Sequence, residues 1–245
     1  MLRIINSEVL INTWYIPRIN LWIKECSRLS NITDEHVEEY IRGLLPENKG
    51  ILKEIEEYAA KNYVPIVHKE VVALLKVITS VSQSKKILEI GTAIGYSAIV
   101  LCQATGRNGH ITTIERNEDR VREAKLNIKK LGMDDNIQII QGDAMEVLDF
   151  LDEEYDLIFL DGAKGHYKEI LERSIDLLKC GGVLIADNIL FKGMVANDDL
   201  VVRRKRTIVN RMRDYLEYIC NHPRLDTSII PIGDGVTISY KKLEE

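Results

Sequence analysis

The chain has 245 residues, 45% of them apolar, and a formal net charge of −5. This length and apolar content allow one substantial core, and the acidic balance excludes a nucleic-acid binder that is basic over its whole surface, although it leaves room for a local basic patch. The four cysteines form no C-x-x-C pair and stand at no zinc-ligand spacing with a histidine, so we expect a reduced, cytoplasmic protein without structural zinc.

The N-terminal third is predicted to be helical after an extension over residues 1–30, to which we assign no role. Polar residues interrupt the apolar stretches of that extension, so it is typical of neither a signal-peptide core nor a membrane span, and we expect no membrane partner. Thr33-Asp34-Glu35-His36 opens a capped helix that runs to about Leu45. A second helix covers roughly 51–61, and a third follows Pro65.

From residue 86 onward, short apolar runs alternate with amphipathic stretches. The runs are 87–90, 111–114, 137–140, 157–160 and 183–186. Short strands separated by helices indicate βαβ units, hence a parallel sheet covered on both faces. Near the C-terminus, two further strands over 228–232 and 236–240 flank only Gly233-Asp234-Gly235. Three residues cannot hold a crossover helix, so these strands are predicted to form an antiparallel hairpin.

Five parallel strands followed by a hairpin differ from the six parallel strands of a dinucleotide dehydrogenase. The arrangement resembles the Rossmann-like α/β fold of class I S-adenosylmethionine-dependent methyltransferases, which has a seven-stranded, mostly parallel sheet. We therefore expect a single domain over 31–245, with N-terminal helices over 31–84 and the Rossmann-like core over 85–245.

A cofactor site is predicted after the first strand. The turn from Gly91 to Gly95 reads G-x-x-x-G, which alone fits an empty strand-to-helix connection equally well. Glu115 ends the second strand, where a carboxylate can accept hydrogen bonds from ribose hydroxyls, and Asp143 ends the third, where an acid can meet an adenine amino group. Because the carboxylate of Glu89 would repel a pyrophosphate and attract a sulfonium or an ammonium, S-adenosylmethionine fits better than NAD.

Two of these cofactor residues keep a purely structural alternative. Ser97, in the first turn of the next helix, can hydrogen-bond the amino-acid end of the cofactor or serve only as a helix-start residue. Glu89 can equally be a strand-end acid that backbone amides satisfy.

A metal site is predicted at the ends of two neighbouring strands. Asp161 follows the fourth apolar run, and Asp187 and Asn188 follow the fifth. Each of them singly is as easily a helix cap, but together they offer oxygen ligands that favour Mg²⁺ or a similar hard cation. Three protein oxygens leave positions for two neighbouring oxygens of a substrate.

Lys164, three residues after Asp161, is predicted to lie at the start of the next helix and so to project over the same edge of the sheet. Most lysines in such positions are only solvated. Beside a cation, however, the ammonium is driven toward the neutral amine, which can take a proton from a substrate hydroxyl. Asp161 and Lys164 are therefore the candidate catalytic residues. His166 is interpreted as a loop residue and Tyr167 as a packing residue.

The residues 88–97, Asp161-Gly162-Ala163-Lys164 and Asp187-Asn188 together resemble the cation-dependent O-methyltransferases, the group of catechol and caffeoyl-coenzyme A methyltransferases, from about residue 31 onward. Within that group, segments 64–67, 113–118, 187–193, 221–223 and 230–235 look most like the bacterial members that methylate 5-hydroxyuridine in tRNA. The resemblance implies Mg²⁺ on Asp161, Asp187 and Asn188, and a homodimer. It also implies a cofactor site lined by Val67, Ser97, Glu115, Asp143 and Ala144. Glu89, Gly91 and Asp161 are further candidates for cofactor contacts.

The substrate prediction is a 5-hydroxyuridine in the anticodon loop of tRNA, whose hydroxyl and O4 carbonyl form the required oxygen pair. The basic stretch Arg203, Arg204, Lys205 and Arg206 is a candidate phosphate contact, or simply the solvated face of a helix. The alternatives are methylation of a small ortho-dihydroxy aromatic at the same metal and a non-catalytic RNA-binding protein with the same fold. An NAD-dependent oxidoreductase is disfavoured by the hairpin and the G-x-x-x-G turn.

Overall fold

The computed structural model describes residues 32–243, so the extension over 1–30 lies outside the described residues. Three helices precede the sheet and confirm the predicted ones: α1 (Glu35–Leu44), α2 (Ile51–Asn62) and α3 (Lys69–Val81). Asp34 caps α1, because its side chain accepts a hydrogen bond from the His36 backbone N–H at 2.9 Å.

Seven strands form one sheet. They are β1 (Lys86–Ile90), β2 (His110–Glu115), β3 (Ile137–Gln141), β4 (Tyr155–Leu160), β5 (Leu178–Asp187), β6 (Leu225–Ile230) and β7 (Val236–Lys241). Their order is β3-β2-β1-β4-β5-β7-β6. The first five strands pair in parallel, whereas β7 pairs antiparallel with both β5 and β6. The predicted fold class, a parallel sheet ending in an antiparallel hairpin, is confirmed.

Helices cover both faces of this sheet. The later ones are α4 (Tyr96–Ala104), α5 (Glu118–Lys130), α6 (Ala144–Phe150), α7 (Tyr167–Leu177) and α8 (Arg206–Cys220). Side chains of a strand point alternately to the two faces, so Phe159 of β4 packs in the core under α2 to α5, while Ile158 and Leu160 pack in the core under α6 to α8. Burial of each such side chain stabilises the fold by roughly 1.5–3 kcal/mol.

Three local predictions need correction. Strand β5 begins at Leu178, five residues before the predicted start at Val183, because Leu178 pairs with Tyr155 of β4. Strand β6 begins at Leu225, three residues before the predicted start at Ser228, because residues 225–230 pair along β7. Lys164 lies in a short 3₁₀ turn, Lys164–His166, and α7 begins only at Tyr167. Within residues 32–243, no helix has the length and apolar character that crossing a membrane requires.

Candidate functional site

The glycine turn after β1 lies against the end of β4. Gly91 has a φ of +108°, and a Cβ atom at this position would come within 2.8 Å of the Gly162 backbone nitrogen. Gly95 has a φ of +85° and immediately precedes α4. A side chain at Gly91 would therefore both strain the backbone and separate the two strand ends. The turn brings the predicted cofactor site and the acidic strand end side by side.

Glu89 is fully buried beneath this turn. Its Oε2 accepts a hydrogen bond of 2.5 Å from the Thr113 hydroxyl, whereas its Oε1 has no hydrogen-bond partner among residues 32–243. Burial raises the pKa of Glu89 to about 7, and the nearby Ser97 hydroxyl counteracts that rise. No backbone amide satisfies this carboxylate within the described residues. The carboxylate thus keeps one oxygen for a ligand donor.

Of the other predicted cofactor residues, Glu115 contacts the same turn. Glu115 accepts backbone hydrogen bonds from Ala93 at 3.0 Å and from Asn117 at 2.9 Å, so it also holds the turn in shape. Asp143 caps α6 through the Met145 N–H at 3.0 Å and is otherwise exposed. Val67 and Ala144 are buried. The contacts of these residues with a ribose or an adenine stay predictions.

The two predicted metal-binding acids end adjacent strands, as the parallel pairing of β4 with β5 requires. Asp187 is 1% exposed, and the Asp161 side chain is 18% exposed. Burial, and then the neighbouring charge of Asp161, raise the pKa of Asp187 to about 7, and burial also raises the pKa of Asp161. Ionising both carboxyl groups costs free energy because they are buried and close together. A bound cation would remove most of that cost.

Asn188 and Lys164 lie beside Asp161 and Asp187. We call the sheet edge that carries these residues the acidic edge. Asn188 has a left-handed backbone with φ +59°, and its N–H donates to Asp187 Oδ1 at 2.6 Å. Lys164 Nζ donates a hydrogen bond to Asn188 Oδ1 and lies 3.8 Å from Asp161 Oδ1. The structure thus brings all four predicted residues together.

Tyr167 connects the ends of the two strands that carry this edge. Its buried hydroxyl lies 3.2 Å from the backbone oxygens of Leu160 and Asp187, the last residues of β4 and β5. Since this hydroxyl spans the two strand ends, Tyr167 packs rather than reacts. His166 is exposed, as expected of a loop residue.

Two residues of the site were not predicted from the sequence. Asp234, in the loop between β6 and β7, accepts a hydrogen bond from the Lys192 backbone N–H at 2.5 Å and interacts electrostatically with Lys164. His68, the residue immediately before α3, interacts electrostatically with Asp161, Asp187 and Asp234. The glycines on either side of Asp234 were the only sequence signal of a tight approach here.

The basic stretch lies next to this edge. Residues Arg203–Lys205 form a 3₁₀ turn, and Arg206 begins α8, so the stretch is mostly a turn before the helix rather than the face of the helix. Lys205 Nζ lies 5.5 Å from the centre of the Phe191 ring, three residues after Asn188. Arg203, Arg204 and Arg206 are exposed and, within the described part of the chain, form no ion pair. Nucleic-acid binding by these residues stays a prediction.

The residues present fit both groups that the fold implies. The unpartnered Oε1 of Glu89 fits a cofactor that carries a hydrogen-bond donor or positive charge. Two carboxylates and one amide at one edge are ligands of a hard cation. Among residues 32–243, no group of three or more His, Cys, Asp or Glu side chains could hold a metal, so the amide oxygen of Asn188 is needed as the third ligand.

Comparisons with known proteins agree with this geometry. A family model described as O-methyltransferase matches residues 45–242. The caffeoyl-CoA O-methyltransferase of Medicago sativa is 30% identical over 230 residues, which cover 88% of this chain and 92% of the relative. A Staphylococcus aureus protein, provisionally named a caffeoyl-CoA O-methyltransferase, is 35% identical with a TM-score of 0.79, covering 84% of this chain and all of that one.

An SAH-bound methyltransferase of Podospora anserina is 25% identical with a TM-score of 0.77, covering 85% of this chain and 95% of that one. The match to the family model and the two caffeoyl-CoA-type relatives span most of the described residues. The chain therefore belongs to the O-methyltransferase family and is close to its caffeoyl-CoA type.

Proposed function

We propose that this chain is a cation-dependent O-methyltransferase that uses S-adenosylmethionine to methylate the 5-hydroxyl of a 5-hydroxyuridine at the wobble position of tRNA. The observation that carries the proposal is the convergence of Asp161, Asp187, Asn188 and Lys164 beside a glycine turn with an unpartnered buried carboxylate oxygen. The SAH-bound relative supports the choice of cofactor.

Each group has a definite task in this proposal. Bound S-adenosylmethionine would supply the sulfonium methyl group, and Mg²⁺ on Asp161, Asp187 and Asn188 would hold two neighbouring acceptor oxygens and favour loss of the hydroxyl proton. Lys164, after its ammonium has lost a proton to solvent, would take that proton at Nζ as the neutral amine. Transfer of the methyl carbon from sulfur to the acceptor oxygen would form the carbon–oxygen bond, break the carbon–sulfur bond and leave a neutral thioether. Lys164 must first leave Asn188 Oδ1, to which it donates in the ligand-free protein.

The tRNA substrate is supported by charge. The exposed Arg203, Arg204 and Arg206 lie just before and at the start of α8, and Arg211 of the same helix donates to the Gly165 carbonyl oxygen at 2.8 Å, beside Lys164. Phosphates that flank a splayed anticodon base could therefore be held next to the acidic edge.

Incubation of tRNA that carries 5-hydroxyuridine with S-adenosylmethionine, with and without a chelator, tests the function. We expect nucleoside mass analysis to find 5-methoxyuridine only when a divalent cation is free. Asp187→Ala should reduce product formation by at least about 100-fold, because only one carboxylate ligand would remain. Undiminished turnover in EDTA would remove the metal from the mechanism.

A second candidate is methylation of a small ortho-dihydroxy aromatic compound at the same edge. The plant relative named caffeoyl-CoA O-methyltransferase favours it, since its name states such an acceptor. Comparing kcat/KM for 5-hydroxyuridine tRNA and for a free catechol separates the two candidates. A catechol preference that is insensitive to salt would support the second one.

A further inference from the structure

The loop that begins at the predicted metal ligand Asn188 has a strained backbone. We call residues 188–193 the ligand loop. Four of its residues have a left-handed backbone: Asn188 with φ +59°, Phe191 with φ +48°, Lys192 with φ +57° and Gly193 with φ +76°. Glycine and asparagine adopt this conformation readily, whereas phenylalanine and lysine adopt it at a cost in free energy. Contacts with other parts of the chain must therefore hold the ligand loop in this shape.

The loop between β6 and β7 provides such contacts. The Ile189 N–H donates to the Gly235 carbonyl oxygen at 3.0 Å, and the Leu190 N–H donates to the Asp234 carbonyl oxygen at 3.0 Å. The Asp234 side chain adds a third hydrogen bond, because its Oδ1 accepts from the Lys192 N–H at 2.5 Å. Three backbone N–H groups of the ligand loop are thus bound by two adjacent residues of the hairpin.

The side-chain hydrogen bond lies where the backbone is most strained. The Lys192 N–H belongs to the peptide group between Phe191 and Lys192, the two left-handed residues that are neither glycine nor asparagine. Among the described residues, Asp234 is the only one whose side chain hydrogen-bonds the backbone of residues 189–193. A Cβ atom at Gly235 would overlap the Leu190 side chain, so the two loops are also in close packing contact.

The shape of the ligand loop determines where the Asn188 amide lies. Its Oδ1 accepts a hydrogen bond from Lys164 Nζ, which lies 3.8 Å from Asp161 Oδ1, and its N–H donates to Asp187 Oδ1. We propose that Asp234 is a positioning residue for the predicted cation site: by holding the ligand loop through Oδ1, it keeps the Asn188 amide oxygen beside the Asp161 and Asp187 carboxylates. The inference rests on the proposed function, which places a cation there, and deepens it.

The test compares Asp234→Asn with Asp234→Ala in the full chain. Asparagine keeps an oxygen that can accept from the Lys192 N–H and loses only the charge, whereas alanine loses both. Asp34→Ala is the matched control, since it removes another carboxylate that accepts from one backbone N–H, that of His36 at 2.9 Å, at the start of α1. Mn²⁺, a hard cation that prefers oxygen ligands, is the probe, and its dissociation constant is measured by electron paramagnetic resonance. Methylation of tRNA carrying 5-hydroxyuridine is measured at increasing Mg²⁺ concentrations.

We expect Asp234→Ala to weaken Mn²⁺ binding by about 10-fold and to raise the Mg²⁺ concentration for half-maximal methylation by a similar factor, with kcat at saturating Mg²⁺ within about threefold of the wild type. Asp234→Asn and Asp34→Ala should bind Mn²⁺ within about threefold of the wild type. Rescue by metal separates a positioning role from general damage to the fold.

Three results would overturn the inference. They are Mn²⁺ binding that is undiminished in Asp234→Ala, equal weakening in Asp234→Asn and Asp234→Ala, which would mean that only the charge acts, and a loss of methylation that saturating Mg²⁺ does not restore. Wild-type Mn²⁺ binding that persists in Asp187→Ala would instead contradict the cation site of the proposed function.

Discussion

At the scale of single residues, Glu89 shows how a buried group can mark a ligand site. A carboxylate oxygen that is buried without a partner costs free energy, so native proteins rarely keep one unless a ligand meets it. The Thr113 hydroxyl satisfies Oε2, and the Thr92 hydroxyl lies 2.6 Å from that of Thr113. Among residues 32–243, no group meets Oε1 with hydrogen-bond geometry. The ammonium of S-adenosylmethionine is a positively charged hydrogen-bond donor, which is the kind of partner that Oε1 can accept from.

We predict that Glu89→Gln lowers the affinity for S-adenosylmethionine by about tenfold at pH 7.5, because the charge-assisted bond becomes a neutral one. Burial raises the pKa of Glu89 to about 7, so the wild-type site gains its negative charge as the pH rises through 7. Wild-type affinity should therefore increase from pH 6 to pH 7.5, and that of the variant should not. Calorimetric titration at several pH values measures both effects.

Ser174→Ala is the matched control for that experiment. Ser174 also has a buried side-chain oxygen that lacks a partner among residues 32–243, but it lies on α7 and not in the glycine turn. Cofactor affinity that drops equally in both variants would mean that Glu89 acts through stability and not through the ligand.

At the scale of elements, the convergence of the acidic strand ends was predictable, whereas the positions of His68 and Asp234 were not. Asp161, Asp187 and Asn188 follow apolar runs, and parallel strands release their ends at one edge, so their convergence follows from the fold class alone. His68 approaches from the start of α3 and Asp234 from a hairpin loop. Their positions depend on how the helices and the loop pack, which no local pattern encodes.

The contact that holds α1 against α3 also could not be predicted from the sequence. The Asp34 cap is local and was predicted, whereas Arg42 of α1 reaches Glu70 across 28 positions of the chain. The hydrogen bonds from His68 and Arg42 outweigh burial and lower the pKa of Glu70 to about 2. A carboxyl group with a lowered pKa stabilises the fold above its unfolded pKa and loses that contribution as the pH falls.

We predict that Glu70→Gln reduces the free energy of unfolding by about 3 kcal/mol at pH 7 and by roughly half as much at pH 3. The difference shrinks because the wild-type carboxylate loses its advantage below its unfolded pKa of about 4.5. Urea unfolding at each pH measures it. Glu47→Gln, which removes an exposed carboxylate paired with Lys69, is the control and should change little. A difference between wild type and Glu70→Gln that is independent of pH would contradict the charge-based explanation.

At the scale of the whole molecule, a chain of net charge −5 has to bind a polyanion if its substrate is tRNA. The repulsion between the two must be overcome locally. The exposed Arg203 and Arg204 lie in the turn before α8, next to Lys205, whose Nζ lies 5.5 Å from the centre of the Phe191 ring. Binding through a few phosphates releases counterions in proportion to the contacts made, so the logarithm of the affinity falls linearly with the logarithm of the salt concentration.

Replacing Arg203 and Arg204 together with alanine should weaken tRNA binding and reduce that salt slope by about 1.5, since each lost phosphate contact removes about 0.7–0.9. The matched control is Lys129→Ala with Lys130→Ala, two exposed lysines at the end of α5. Each double variant removes two positive charges, so both change the net charge from −5 to −7, and general repulsion rises equally. Fluorescence anisotropy with labelled tRNA at several salt concentrations measures the slopes. Because total charge is matched, equal slopes in the two variants would show that tRNA responds to the overall charge and that the arginines make no phosphate contact.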